Sequence, residues 1–456
     1  MKLDSIAQTL RDSIRKNGPQ GVDLRKKKLE TLKKSIKSHE AQIVSALKSD
    51  LGRSAFETYT TEIGFILEEI SYFLKHLDEW AKVKKVKTPF ILFPGKSFIH
   101  PEPYGVVLIV SPWNYPFQLC LSPFIGAFAA GNKIVIKPSE MAPQTSAIIK
   151  KILTDVFNEN EVVVIEGGLN ETQILLEQKF DYIFFTGSPS VGKIMMKAAA
   201  EHLTPVTLEL GGKSPCLIEA TANLDLAAKR IAWGKFLNAG QTCVAPDYVL
   251  IPNDLQDQFI ERMKVHLKAF YGEDVQASAD YPRIVNNRHF DRLIKLVLDS
   301  KVAIQGKSNR EENFIAPTVF KNVALNDKIM EDEIFGPLLP ILPYQDLEEA
   351  INIIMSYPKP LAFYVFSESA EKQKQIISRI PFGGGCINDT IVHLANPNLP
   401  FGGVGTSGIG SYHGQKSFDT FTHYKSLYQR GSLMDIPLRY PPYDEKKLNR
   451  VKFLLR

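Results

Sequence analysis

The chain has 456 residues, of which 44% are hydrophobic and 23% are charged, and this is the composition of an ordinary globular protein. Its length predicts two or three domains. The formal net charge of +5 is too small to indicate a nucleic-acid-binding protein. Basic clusters at 25–28 and 82–87 have no aromatic or motif context, so we interpret them as solvated helix faces or linker rather than a phosphate-binding surface.

The distribution of apolar residues and cysteines predicts a location in the cell. No run reaches the ~18 apolar residues that a membrane span requires, and the amphipathic start lacks the apolar stretch of a secretory signal. The four cysteines stand far apart without a CxxC pair, which argues against a zinc ribbon and a disulfide framework. We therefore expect a cytoplasmic protein with reduced thiols, no metal and no membrane span.

The first elements in chain order are helices. Residues 1 to about 82 have helical periodicity, with apolar residues such as Ile63, Leu67 and Ile70 three and four positions apart. The proline- and glycine-punctuated stretch 88–105 predicts two short strands.

Four short β-branched runs follow, namely GVVLIVSP, NKIVIKPSE, EVVVIEGG and DYIFFTGS, and helix-like segments separate them. Near-continuous apolar strands that alternate with helices are typical of a parallel sheet covered on both faces. A second set, SPCLIEA, DYVLIP, LAFYVFS and GGGCIN, begins after Glu209. The pattern therefore predicts an α/β fold with two domains. The glycine-rich segment from residue 397 precedes a predicted strand in FDTFTHYKSLYQR, which returns to the first domain or pairs with a partner.

Three residues are candidates for catalysis, and each also has a structural explanation. Cys243 follows the small, flexible run AGQT, although an isolated cysteine is most often a buried apolar residue. Glu209 lies in strand sequence before two glycines, as a solvated edge residue or a general base. Asn114 stands between Pro112 and Pro116 after an apolar strand, where it forms an Asx turn or donates to an oxyanion.

Two other segments are candidates for nucleotide binding. Gly187 and Gly192 flank a strand-to-helix turn, where free N–H groups at a helix start can bind phosphate. This segment is not a GxGxxG fingerprint, and such a turn is more often only a turn. Lys137 and Glu140 end another strand, where they hold ribose hydroxyls or are solvated loop charges.

The order of the motifs is more specific than any one of them. SPWNYP, IKPSE, FTGSxxVGK, LELGGKSP, GQTC, EIFGPLLP and PFGGVGTSGIGSYHGQKSF occur in the order found in aldehyde dehydrogenases. The chain resembles this family from its helical start to about Arg430, and it resembles the class 3 branch most. The resemblance implies that Cys243 is the nucleophile, that Glu209 is the general base, and that Asn114 and the Cys243 backbone N–H stabilise the oxyanion.

The resemblance also implies a cofactor site for NAD, with NADP as a possible alternative. It implies that Lys137 and Glu140 hold the adenosine ribose and that the turn at Gly187 and Ser188, with Gly192 behind it, meets the pyrophosphate. Glu333 would bind the nicotinamide ribose, with Phe335 packed beside it. An apolar substrate pocket would comprise Phe65, Tyr115, Leu119, Trp233, Ile391 and Phe401.

The fold that the resemblance implies has a Rossmann-type cofactor domain, an α/β catalytic domain and a β oligomerisation arm. The corresponding segments are 1–82 with 104–209, 210–396, and 83–103 with 412–430, followed by a tail at 431–456. We expect a homodimer that oxidises medium- or long-chain aliphatic or aromatic aldehydes to carboxylic acids. The alternatives are a coenzyme A-acylating aldehyde dehydrogenase and a non-catalytic structural protein on the same fold.

Overall fold

The structure, a computed structural model, describes residues 2–455, so the outermost residues of the segments 1–82 and 431–456 lie outside it. Its helices are α1 (Ile6–Asn17), α2 (Val22–Ser38), α3 (Glu40–Leu51), α4 (Ala55–Thr58), α5 (Gly64–Trp80), α6 (Gln118–Ala130), α7 (Pro143–Val156), α8 (Leu169–Leu176), α9 (Pro189–Ala200), α10 (Leu224–Phe236), α11 (Gln256–Tyr271), α12 (Asn287–Ile294), α13 (Leu347–Ser356), α14 (Ala370–Arg379), α15 (Gln415–Thr420) and α16 (Glu445–Leu454). A π-helical turn, Tyr59–Ile63, joins α4 to α5.

The strands form one six-stranded, one seven-stranded, one three-stranded and one two-stranded sheet. They are β1 (Lys84–Val86), β2 (Lys96–Pro103), β3 (Val106–Val110), β4 (Lys133–Lys137), β5 (Val162–Val164), β6 (Tyr182–Gly187), β7 (Val206–Leu210), β8 (Pro215–Ile218), β9 (Tyr248–Pro252), β10 (Val302–Ile304), β11 (Ser308–Asn309), β12 (Phe314–Ile315), β13 (Thr318–Phe320), β14 (Leu338–Tyr344), β15 (Ala362–Phe366), β16 (Gly384–Ile387), β17 (Gly408–Ile409) and β18 (Thr422–Gln429).

The six-stranded sheet has the order β17-β7-β6-β3-β4-β5, and all its pairs are parallel except β17 with β7. Val107 and Ile109 of its central strand β3 belong to one hydrophobic core, whereas Val106 and Leu108 belong to a second core. Alternate side chains of a strand point to opposite faces, so both faces of this sheet are buried. The structure thus confirms the predicted parallel sheet covered on both faces.

The seven-stranded sheet has the order β10-β13-β14-β9-β8-β15-β16 and is parallel except at the β10–β13 pair. The second set of apolar runs in the sequence forms β8, β9, β15 and β16. The two large sheets confirm the predicted α/β class.

The small sheet β1-β2-β18 differs in detail from the sequence prediction. Residues 88–105 contain one strand, β2, and a 3-10 turn at Phe90–Leu92, while the other strand, β1, lies before this stretch. The run FDTFTHYKSLYQR forms the second half of α15 before it becomes β18, which pairs antiparallel with β2. Strand propensity alone did not predict the correct bounds of these strands, because proline or helix-compatible residues interrupt the two segments.

The interpretation of residues 25–28 as a solvated face was wrong for Arg25 and Lys28, whereas Lys27 is exposed. Arg25 is 8% exposed and donates a hydrogen bond to the carbonyl of Ala129, while Lys28 forms an ion pair with Glu161. The positive charges of Arg25 and Lys28 therefore contact other parts of the chain. Between residues 2 and 455, no helix is long and apolar enough to cross a bilayer, and no group of His, Cys, Asp or Glu side chains could hold a metal ion.

Candidate active site

The carboxyl ends of the parallel strands of the six-stranded sheet carry several of the candidate residues. Lys137 ends β4, Gly187 ends β6, Glu209 is the penultimate residue of β7, and Asn114 follows β3. The register pairs Thr186 with Glu209, so these two side chains are neighbours on one face of the sheet. Crevices at such strand ends are where open α/β sheets bind ligands.

Cys243 lies between α10 and β9, after a turn that brings it to this edge. Asn238, Ala239 and Gly240 have φ values of 52°, 51° and 73°, which is left-handed backbone. A Cβ atom on Gly240 would lie 2.3 Å from the carbonyl oxygen of Gly336, so only glycine fits there. The small, flexible run seen in the sequence therefore provides a tight left-handed turn directly before the thiol.

Two cavities meet at the partly exposed Cys243 side chain. One has a volume of about 610 Å³ and carries charged side chains on its wall, among them Glu209, Glu333 and Arg292, and we call it the polar cavity. The other has a volume of about 580 Å³ and a mainly apolar wall, and we call it the apolar cavity. Cys243 is the one residue of the described chain that lines both.

The polar cavity contains most of the residues that the sequence indicated for catalysis and cofactor binding, namely Asn114, Gly187, Ser188, Glu209, Cys243, Glu333 and Phe335. Lys137, Glu140 and Gly192 do not line it. The Lys137 ammonium donates to Glu140 at 3.2 Å, and the Glu140 side chain is 53% exposed beyond the cavity. A Cβ atom on Gly192 would lie 2.7 Å from the Leu210 side chain, so this glycine allows α9 to pack closely on β7.

The apolar cavity brings together all six residues of the expected substrate pocket, Phe65, Tyr115, Leu119, Trp233, Ile391 and Phe401. They come from α5, α6, α10 and two loops that are far apart in the sequence. Sequence reasoning missed other lining residues, among them His413, which stacks on Phe401 with ring centroids 5.2 Å apart. Burial lowers the pKa of His413 to about 3, so its imidazole is neutral.

Burial also governs the ionisation of the three acidic groups at the junction. Glu209 is 2% exposed, neither of its carboxylate oxygens has a hydrogen-bond partner, and desolvation raises its pKa well above the usual value. Burial, with the neighbouring carboxylates Glu333 and Glu209, raises the pKa of the Cys243 thiol to about 12. Burial and the nearby Asp247 raise the pKa of Glu333 to about 8.

The side-chain amide of Asn114 has a fixed orientation. Its Nδ2 donates to the carbonyl of Gln241 at 3.0 Å, and this acceptor decides which end of the amide carries the nitrogen. Gln241 is held in turn, because its Nε2 donates to the carbonyls of Asn238 and Arg283, both at 3.0 Å. Sequence reasoning missed the role of Gln241, although its position two residues before Cys243 in GQTC was a signal.

With this geometry established, comparisons with known proteins identify the family. The model of the "Aldehyde dehydrogenase family" matches residues 12–427. This protein belongs to the aldehyde dehydrogenase family. It is 51% identical to a Staphylococcus aureus protein named 4,4'-diaponeurosporen-aldehyde dehydrogenase, over 93% of each chain.

Two further relatives agree with the class 3 resemblance. Aldehyde dehydrogenase family 3 member A2 of Pongo abelii is 46% identical over 94% of this chain and 89% of that protein. The "Aldehyde dehydrogenase, dimeric NADP-preferring" of Canis lupus familiaris is 45% identical over 97% and 98%, respectively. The solved substrate-bound state of Staphylococcus aureus AldH superposes with a TM-score of 0.98, at 47% identity and over 100% of both chains. This chain is thus an aldehyde dehydrogenase enzyme with the fold of that family.

Aldehyde dehydrogenases use NAD(P), and the polar cavity has the donors and acceptors for such a dinucleotide. The start of α9 lies beside Gly187 and Ser188, where Pro189 has no N–H and the Val191 N–H donates to Ser188 Oγ at 3.5 Å. Arg292 and Lys295 also line the cavity and add positive charge, which suits a diphosphate. A Cβ atom on Gly211 would lie 2.0 Å from a Glu333 oxygen, so only a glycine leaves room for this carboxylate at the cavity wall. A carboxylate in this position can accept hydrogen bonds from ribose hydroxyls. The residues present therefore fit the cofactor.

Proposed function

We propose that this aldehyde dehydrogenase oxidises medium- to long-chain aliphatic or aromatic aldehydes to carboxylic acids with NAD(P)⁺, through a thioester on Cys243. The observation that carries the proposal is the position of Cys243 on the shared wall of a polar and an apolar cavity. A nucleophile at this junction can attack an aldehyde carbon whose hydrocarbon tail lies on one side while the hydride acceptor lies on the other.

In the first step, the Cys243 sulfur forms a bond to the carbonyl carbon, and the thiol proton leaves to solvent. The carbonyl oxygen becomes an oxyanion that the free Nδ2 hydrogen of Asn114 and the backbone N–H of Cys243 stabilise. The other Nδ2 hydrogen of Asn114 is already engaged by Gln241, so the amide needs little reorganisation when charge develops. Before substrate binds, the raised pKa keeps the Cys243 side chain as a neutral thiol. Negative charge therefore develops on the carbonyl oxygen during the attack, and these donors stabilise it there.

A nicotinamide cofactor bound in the polar cavity would supply the acceptor for the hydride from the former carbonyl carbon. Asn114 continues to donate to the oxygen as its carbonyl double bond returns, and an acyl thioester remains on Cys243.

Glu209 is the base for the second half of the reaction. It takes a proton from a water molecule whose oxygen bonds to the acyl carbon, and the carbon–sulfur bond then breaks. The proton that Glu209 took moves to the sulfur, which gives the acid and the Cys243 thiol. A carboxylate in water is a weak base, whereas burial without a hydrogen-bond partner raises the pKa of Glu209 toward the range that a general base requires. Glu209 lines the same cavity as Asn114 and Cys243.

The lining of the apolar cavity supports the substrate class. The cavity volume of about 580 Å³ exceeds what a two-carbon aldehyde fills, and its wall is mainly aromatic and aliphatic. The exposed Trp233 and Phe56 at this wall, 39% and 78% exposed, extend the apolar surface toward solvent for a longer tail.

Cofactor preference is proposed on the charge of Glu140. Its carboxylate follows β4 and is half exposed beside Lys137, where it can accept from ribose hydroxyls and repel an added 2′-phosphate. NAD is therefore the proposed main cofactor, with NADP as a second one.

The activity is tested by NADH formation with a graded panel of aliphatic and aromatic aldehydes, with NAD or NADP, and with or without coenzyme A. The proposal expects the acid as product, with a higher kcat/KM for hexanal and benzaldehyde than for acetaldehyde. An acyl-coenzyme A product would instead support the acylating alternative, and a clearly higher kcat/KM with NADP than with NAD would overturn the cofactor preference.

We also propose a homodimer that pairs through the three-stranded sheet β1-β2-β18. All three residues of β1 are exposed, and Phe90 and Phe93 beside it are 81% and 62% exposed, so the sheet has little core of its own. Light scattering at micromolar concentration should give twice the chain mass of 51.2 kDa, and a monomer mass would contradict this assembly.

A further inference from the structure

Arg53 is a fully buried arginine that sequence reasoning did not single out. It lies between α3 and α4, and each of its three guanidinium nitrogens has a partner. Nε donates to Asn238 Oδ1 at 3.0 Å, Nη1 donates to Glu62, and Nη2 donates to the backbone carbonyl of Asn114. The guanidinium also lies over the Tyr115 ring, 4.3 Å from its centroid. A single side chain thus joins both halves of the active site.

Glu62 connects this arginine to the start of α6. One of its carboxylate oxygens accepts from Arg53, and the other accepts from the backbone N–H groups of Phe117 and Gln118, both at 2.8 Å. These groups are at the first turn of the helix that follows the Asn114 loop, so Glu62 fixes where that loop ends.

Asn238 connects the same arginine to the Cys243 loop. Its Nδ2 donates to the carbonyl of Asn114 at 2.9 Å and to the carbonyl of Gln241 at 3.1 Å. The Asn114 side chain also donates to the Gln241 carbonyl, as described above. Arg53 therefore holds two segments, the Asn114 loop through its carbonyl and the Cys243 loop through Asn238. The separation of these segments determines the distance from the Asn114 amide to the thiol.

We propose that Arg53 is a positioning residue that sets the Asn114 amide relative to Cys243 for oxyanion stabilisation. This inference rests on the proposed function. Arg53 lines neither cavity, so it acts through Asn114 and the thiol loop rather than on substrate. A planar guanidinium can satisfy three acceptors in fixed directions, whereas a lysine ammonium cannot reproduce that fork. A small displacement of a donor from the developing charge lowers the rate steeply.

The test is a double-mutant cycle between Arg53→Lys and Asn114→Ala, read as kcat/KM for aldehyde oxidation. In the wild-type background, Arg53→Lys should lower kcat/KM by about 10- to 100-fold, because the amide is misplaced. In the Asn114→Ala background, the same change should cost less than about threefold, because the donor is already gone. Equal losses in both backgrounds would overturn the proposal.

Arg25→Lys is the matched control. Arg25 is also a buried arginine, and it donates to the carbonyl of Ala129 at the opposite end of α6. This variant should lower the melting temperature without coupling to Asn114→Ala, and coupling as large as that of Arg53→Lys would contradict the proposal. If Arg53→Lys does not fold, Glu62→Gln replaces it in the cycle with the same expectation.

A second measurement separates this inference from the proposed function. If the wild-type enzyme forms no NAD(P)H with any aldehyde, the proposed function fails, and the positioning of the thiol is then read from the rate constant of Cys243 alkylation by iodoacetamide. Arg53→Lys should change this rate constant by more than about threefold and Arg25→Lys should leave it unchanged, since only the first holds the thiol loop. Equal rate constants in the wild type and both variants would refute the positioning role.

Discussion

The two cavities that meet at Cys243 have similar volumes, about 610 and 580 Å³, but they are built from different parts of the fold. The polar cavity uses the ends of parallel strands, the start of a helix and buried carboxylates. The apolar cavity uses side chains from helices and late loops. Strand ends hold the charged and catalytic groups in fixed positions. Helix faces provide an apolar surface, and the size of this surface can vary without moving the catalytic groups. Changes on the two sides should therefore have separable kinetic effects.

The largest effect is expected at the shared wall. Cys243→Ala removes the nucleophile and should lower NADH and acid formation by about 10⁴-fold or more, while cofactor binding remains. Steady-state absorbance and product analysis measure both quantities. Cys386→Ala is the control, because that thiol lies on β16 and lines neither cavity, and it should keep wild-type activity. Substantial acid formation by Cys243→Ala would exclude the thioester route.

A smaller effect is expected on the apolar side alone. Each CH₂ added to an aliphatic aldehyde should raise kcat/KM by up to about fourfold until the cavity is full, since burial of a CH₂ contributes ~0.8 kcal/mol. Phe65→Ala should flatten this increase. Trp113→Ala changes the wall of the polar cavity instead and should leave the slope intact. A slope that changes equally in both variants would contradict the separation of the cavities.

The polar side should show a pH dependence of cofactor affinity. In the proposed cofactor site, an ionised Glu333 would accept hydrogen bonds from the ribose hydroxyls. Burial and Asp247 raise the pKa of Glu333 to about 8 in the free enzyme. Cofactor binding should lower that pKa, so affinity should increase with pH by up to about tenfold per unit below about pH 8 and then level off. Fluorescence titration with NAD⁺ measures this trend. Glu333→Gln should abolish the increase, and an unchanged pH trend in that variant would assign it to another group.

The sequence predicted those features that depend on local pattern. Short apolar runs with turn residues at their ends predicted the parallel strands. Only the resemblance to the family implied that Asn114, Gly187 and Glu209 belong to one site, and the shared edge of the sheet explains why they lie together. The packing of Gly192 against Leu210 was not predicted, because a glycine in a turn gives no indication of what the helix packs against.

The Arg53 network could not be predicted for a related reason. Its partners Glu62, Asn114 and Asn238 lie up to 185 positions away along the chain, and no period or spacing connects a buried arginine with such distant acceptors. Burial of a charge becomes visible only when the fold supplies the opposite charge and the acceptors around it. The error at residues 25–28 has the same origin, since the acceptors of Arg25 and Lys28 lie on distant elements.

The most direct test of the central claim separates acylation from hydrolysis with Glu209→Gln. This variant keeps the thiol and the cavity but cannot take a proton from water, so it should give a rapid burst of about one NADH per site and then a steady state about 10²–10⁴-fold slower. Intact mass spectrometry should show the acyl group on Cys243. Turnover at the wild-type rate would contradict the role of Glu209, and so would the absence of a burst in a variant that still binds NAD⁺.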